Sequence, residues 1–210
     1  MKYLYYYAFL TVVALLFFSP PAHAGQCGTI TKAAGEPQIV RNGQTLAASV
    51  GTPVLEGDII RAPKGASADF SINGVAGLSA AEGTECEIAK ATEDAMKIDL
   101  ELGELRANIK KLPANSSFSV ETPTAIAAVR GTQFTSIVRM NAQNRPDSSF
   151  VVRDNVVDVT VKGSRNKIAL DQGKALDVPS TLPPGGTQPR EATGVELVNM
   201  EGASLITACA

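Results

Sequence analysis

The Gly131-Thr132 bond holds more latent chemistry than any other pair in the chain. A threonine hydroxyl can attack the carbonyl before it, move the acyl group from nitrogen to oxygen, and leave an ester that water cleaves. Glycine on the acyl side leaves that carbonyl unhindered and tolerates a strained backbone. The same two residues also fit a plain β-bulge, with Thr132 satisfying a backbone group. Arg130 is a lone cation at the end of an apolar run, Ile126 to Val129, bounded by Pro123 and Gly131. Such a run reads as a short strand buried on both faces. Arg130 is then expected to pair with a carboxylate or carbonyls and pin neighbouring strands, since a buried unpaired charge is costly.

Carboxylates are the second chemical resource. Glu82, Glu85 and Glu87 surround Cys86, and Glu93, Asp94, Asp99, Glu101 and Glu104 follow. Neither an Asp-x-Asp loop nor a repeated Gly/Asp motif accompanies them, so no metal site is expected. Alternating acids on a strand form a solvated face and blunt sheet edges. A carboxylate-dependent envelope hydrolase is the weaker alternative, because nothing in the sequence brings two of these acids into one pocket. Asp58, after Gly57, is expected to cap a turn through its side chain.

The N-terminal segment decides which other chemistries are open. Lys2 is the only charge before the apolar segment Ala8 to Phe18, which Ser19-Pro20-Pro21 and Ala22-His23-Ala24 follow. This order reads as a secretory signal peptide, residues 1–24, cleaved after Ala24. Its apolar core is shorter than the roughly 20 residues of a spanning helix, so no stable membrane span is expected after processing. All four tyrosines and the only histidine, His23, lie in this segment, and the chain has no tryptophan. Without His, Tyr or Trp, serine-histidine and cysteine-histidine catalysis, histidine metal sites and tyrosine or tryptophan stacking platforms are all excluded. The formal charge of −2, made more negative by loss of Lys2, offers no excess of cations for nucleic acid. No cofactor is expected. An oxidising compartment predicts one disulfide among Cys27, Cys86 and Cys209; Cys27 with Cys209 ties the two ends, and Cys86 is the alternative partner.

Short strands with glycine corners must position these residues. Gly35, Gly43, Gly51, Gly57, Gly65, Gly74 and Gly83 recur at short intervals. Ala68, Phe70 and Ile72 share one face of a strand, and so do Val157, Val159 and Val161. Asn42-Gly43 and Asn73-Gly74 are hairpin signals. Met96 to Leu100 alternates, Gly103 is read as a turn, and Leu105 to Ile109 as the returning strand. Ser116 to Glu121, Phe134 to Val138, Phe150 to Arg153, Ile168 to Leu170 and Ala175 to Val178 complete the set, with Asn141 to Ser149 an exposed hairpin tip. The predicted fold is all-β, a β-solenoid-like stack of short strands, with a β-sandwich as the alternative. The expected divisions are a β domain over residues 25–178, a Pro/Gly-rich linker over 179–194, and a tail over 195–210 that returns as a strand or frays.

Several motifs, taken together, resemble a known family. They are Gly35 to Arg41, Leu55 to Arg61 with Gly57-Asp58, Gly83-Thr84, Leu102-Gly103-Glu104-Leu105, and Thr122-Pro123 with Val129-Arg130-Gly131-Thr132-Gln133-Phe134. In order and spacing, over roughly residues 28 to 178, they resemble the FecR domain family. The resemblance implies a β-solenoid-type extracytoplasmic domain, which in well-known members senses the state of an outer-membrane transporter and controls a sigma factor. Some membrane regulators of this family self-process at a Gly-Thr pair, which points again to Gly131-Thr132. Here the segment read as a signal peptide is expected to stand in place of the cytoplasmic anti-sigma bundle and membrane helix. The expectation is a stand-alone exported FecR-domain protein, periplasmic or secreted, that binds an envelope protein or cell-wall component in envelope signalling without turnover chemistry. A self-processing regulator is the alternative.

Overall fold

The computed structural model describes residues 25–164, 167–181 and 186–201. The expected signal peptide and Cys209 lie outside these residues. In chain order the first nine strands are β1 (Gln26–Ala34), β2 (Gln38–Arg41), β3 (Gln44–Ala47), β4 (Pro53–Leu55), β5 (Ile59–Ala62), β6 (Ser67–Ile72), β7 (Ala76–Ala80), β8 (Thr84–Ala91) and β9 (Ala95–Ile109). Then come β10 (Ser117–Glu121), β11 (Ala125–Val129), β12 (Gln133–Met140), β13 (Pro146–Asp154), β14 (Val156–Val161), β15 (Lys167–Asp171), β16 (Lys174–Val178), β17 (Arg190–Glu191) and the helix α1 (Gly194–Glu201). The fold is all-β, as the alternation of the sequence predicts.

Hydrogen bonding runs through all 17 strands but forms two layers. The first has the order β4-β1-β6-β7-β9-β12-β13-β16-β17. The second has the order β3-β2-β5-β8-β9-β10-β11-β14-β15. Among the described strands only β9 with β10 pairs in parallel. The chain steps back and forth between the layers while advancing from the β3/β4 end to the β15/β17 end, and inward residues of both layers merge into one core. Phe70, Phe134 and Phe150 enter it from the first layer and Phe118 from the second, all fully buried. Each such ring removed from water contributes about 2–3 kcal/mol.

Three local expectations are corrected. Gly103 does not turn the chain back: β9 is one 15-residue strand that pairs with β8 and β10 before Gly103 and with β7 and β12 after it. Gly103 has φ of +93°, and a Cβ there would lie 2.4 Å from the Thr84 Cα, so glycine lets β9 bend from one layer into the other. The run Ile126 to Val129 is not buried on both faces. In β11 Ala125, Ala127 and Val129 point into the core, while Ile126 and Ala128 stay half-buried on the outer face, because an antiparallel layer is covered on one side only.

The third correction concerns the tail. Where residues 195–210 are expected to return as a strand or fray, the described part, up to Glu201, forms α1. Thr193 and Glu196 make a reciprocal capping box: the Thr193 N–H donates to Glu196 Oε2 at 2.6 Å, and the Glu196 N–H donates to Thr193 Oγ1 at 3.3 Å. Leu197 and Ala192 pack on Val151 and Ala175, outward residues of β13 and β16, in a second small apolar cluster. β17 also forms inside the expected linker, pairing with β16.

Candidate functional site

The segment from Thr122 to Phe134 lies across the core. β10 and β11 form a hairpin of the second layer, closed at Thr122-Pro123-Thr124-Ala125 by the Thr122 N–H donating to the Ala125 carbonyl at 2.8 Å. Buried Thr122 Oγ1 donates to the same carbonyl at 3.0 Å, and the Ala125 N–H donates back to it at 3.1 Å. Ser148 of β13 ties this turn to the first layer, donating to Thr122 Oγ1 at 2.9 Å and accepting from Thr124 Oγ1 at 2.7 Å. The Thr122-Pro123 motif is therefore a hydroxyl staple between layers. Phe134 serves the same end in the core, its ring edge-on to Phe118 with centroids 6.5 Å apart.

Arg130, Gly131 and Thr132 carry the chain from β11 in the second layer to β12 in the first. Arg130 is exposed and makes no ion pair or hydrogen bond among the described residues. The expected pinning role is therefore overturned; β11 ends at Val129 and the arginine emerges with the crossover. Gly131 has φ of +119° and lies so close to β9's exit that a Cβ would stand 2.9 Å from the Lys111 Cα. Its carbonyl accepts from Asn155 Nδ2 at 2.9 Å. Thr132 is buried, its hydroxyl donates to the Asp154 carbonyl, and its own carbonyl accepts the Ile109 N–H at 2.9 Å. Two crossovers thus face each other, Arg130–Thr132 and Asp154–Val156. Asn155, itself at φ of +59°, reaches from one to the other. Asn155 is the site residue that sequence reasoning missed. Its left-handed preference is a local signal, but the carbonyl it holds is 24 residues away.

The remaining candidates fall elsewhere. Asp58 is fully buried and caps its turn, accepting the Leu55 N–H at 2.8 Å. Both its oxygens also receive Arg41, from Nε and Nη2 at 2.7 Å each. Cys27 and Cys86 are free thiols on inward faces of opposite layers, so the alternative Cys27–Cys86 bridge is not formed. Burial pushes the Cys86 thiol up to about 12, with Glu85 adding to the effect, and it raises Cys27 as well.

The acids around Cys86 gather no metal: among the described residues no group of three or more ligating side chains could hold one. Several are engaged by cations, Glu85 by Arg61, Asp99 by Lys97 and Glu104 by Arg106. Asp147 and Asp177 share a groove, beside Ile137, Arg139 and Val178 around a cavity of about 320 Å³. The Ser180 amide, above all, holds Asp147 below the usual carboxylate range, and the Arg190 guanidinium does the same for Asp177. A hydrolytic pair needs one carboxyl kept protonated as an acid. Here both are stabilised in the ionised form.

Fold and site together define a two-layer all-β domain whose signature residues tie layers and crossovers together. Residues 58–158 match the family described as FecR protein. The match is narrower than the span from 28 to 178 over which the motifs resemble that family. Two crystal structures of a candidate anti-sigma factor from Parabacteroides distasonis, at 1.65 and 2.50 Å resolution, share the fold with a TM-score of 0.55 at 18% identity. The likeness covers 67% of this chain and 62% of that one, so only about three fifths of that protein's length is matched. No curated protein matches the sequence.

Proposed function

We propose that the protein is exported and works as a non-catalytic binding and sensing module in the periplasm or cell envelope, through protein–protein contact in envelope signalling. The match of residues 58–158 to the FecR family carries this reading. The fold shared with a candidate anti-sigma factor supports it. So does the run from Lys2 to Ala24, which has the order of a secretory signal. Among the described residues no helix is long and apolar enough to cross a membrane. The partner class is an envelope protein or a cell-wall component. Crosslinked pull-down from the native envelope tests the proposal: it should recover a specific partner, and recovery of none would count heavily against it.

A second reading is favoured by the geometry at Gly131: the chain is a regulator that cuts itself once. Thr132 Oγ1 attacks the Gly131 carbonyl carbon, the C–N bond breaks as the C–O bond forms, and the hydroxyl proton passes to the departing Thr132 nitrogen. Water then hydrolyses the ester, leaving a Gly131 carboxylate and a free Thr132 amine and hydroxyl. The Asn155 N–H already sits on the oxygen that becomes the oxyanion, a placement that lowers this kind of barrier. The halves would stay together, since β11 and β12 share one core. Intact mass of the purified protein should show two fragments, and Asn155→Ala should slow their appearance about a hundredfold. A single species, unchanged by Thr132→Ala, would reject self-cleavage.

A further inference from the structure

Each layer ends in edge strands, and three of the four edges are blunted. β4 has three residues, begins with Pro53, and its Pro53 carbonyl accepts Arg41 Nη2 at 2.8 Å. β17 has two residues and runs directly into α1. β15 carries Lys167 and Asp171 at its ends. Short length, proline, charge and cover are the devices that keep an edge from pairing with another chain. β3, Gln44-Thr45-Leu46-Ala47, has none of these beyond its brevity. It carries no charge and no proline, all four residues are exposed, and among the described residues it pairs only with β2.

The register fixes which backbone groups β3 offers. The two-residue turn Asn42-Gly43 makes Arg41 and Gln44 a hydrogen-bonded pair. Alternation makes Ile39 with Leu46 the next such pair, and the Ala48 N–H donating to the Pro37 carbonyl at 2.9 Å continues the series. The N–H and C=O groups of Thr45 and Ala47 therefore face away from β2. Beside this edge lies a cavity of about 360 Å³, walled by Ala33, Pro37, Leu46 and Ala48, with Glu36 its one charged residue. Leu46 is 39% exposed there, and Val50 nearby is 66% exposed.

We infer that β3 is an acceptor edge for an extended segment of a partner protein, which adds as a tenth strand to the second layer. The inference rests on the binding-module reading and names its surface. Thr45 and Ala47 would supply the main-chain bonds, and alternate apolar side chains of the incoming strand would cover Leu46 and enter the cavity. Glu36, unpaired among the described residues, calls for a lysine or arginine on that segment. A second copy of this chain fits less well: its own β3, Gln44-Thr45-Leu46-Ala47, would bring no cation to Glu36. β3 also precedes residues 58–158, so this surface lies outside the matched FecR segment.

The test places a photo-crosslinking residue at Ala47 of the full-length protein in its native envelope and maps the captured peptide. Crosslinks should converge on one short segment with alternating apolar residues and a cation. Thr45→Pro removes an outward N–H without breaking the β2–β3 ladder. It should leave the thermal midpoint unchanged and cut the crosslink yield about tenfold, the effect of losing main-chain bonds. A synthetic peptide copying the segment should slow exchange of the Thr45 and Ala47 amides, and the same peptide N-methylated at alternate residues should not. Equal binding of the two peptides would overturn strand addition. Crosslinks to Ala47 of a second copy would overturn the choice of partner. No capture at Ala47, while the envelope pull-down still yields a specific partner, would sink the edge and leave the binding module standing.

Discussion

At the scale of single residues, the side chains that matter most here work in pairs set far apart in sequence. Asp58 is fully buried and is held by two hydrogen bonds from Arg41 and one from the Leu55 amide. Arg41→Ala strands a buried carboxylate and should cost about 3–5 kcal/mol at neutral pH, read from urea unfolding; an effect below about 1 kcal/mol would show that water replaces the arginine. The capping half of this arrangement was legible, because an aspartate in a glycine turn bonds nearby backbone N–H groups through its side chain. The arginine half was not, since its partner comes from another strand 17 residues away. Arg130 shows the converse. An arginine after an apolar run suggested a buried ion pair, yet the chain leaves the core at that residue.

At the scale of elements, two devices shape the molecule, the bend in β9 and the clamp on α1. Gly103→Ala puts a Cβ against the Thr84 backbone at a φ that alanine resists. It should destabilise by more than about 2 kcal/mol in chemical denaturation. The clamp is Arg190, which reaches Asp177 of β16 at 2.6 Å and Glu196 of α1 at 2.8 Å. Arg190 first, with help from the Thr193 amide and hydroxyl, lowers Glu196 from its ordinary 4.5 to about 2, and Asp177 is lowered by the same arginine. A carboxyl with a depressed folded value contributes stability that is fully present above its unfolded value and is lost as pH falls through the folded one. Docking of α1 should therefore hold above about pH 4.5 and fail progressively toward pH 2. Amide exchange over residues 194–201 should report that loss before the core strands open. Glu196→Gln should bring it to neutral pH, and a helix equally protected in that variant would contradict the clamp. Thr193 and Glu196 have capping-box spacing, but the eight residues of α1 are too short a periodic window to mark a helix by pattern alone.

At the scale of the whole molecule, one core joins both layers, so the strands should unfold together. Cys86 reports on this directly: it is fully buried and its thiol is pushed up to about 12. Its alkylation at neutral pH should track global unfolding in denaturant, and rapid labelling of the native protein would show that the second layer opens by itself. The all-β class, most strand positions, the Asn-Gly hairpins and the motifs that resemble the FecR family were legible from local sequence. These depend on alternation and on turn residues, which act over a few neighbours. That β9 serves two layers, that Asn155 reaches the Gly131 carbonyl and that β3 is left as the unblunted edge come from the three-dimensional packing. Each of these depends on which distant strands lie side by side, and that is fixed by packing two layers onto a shared core.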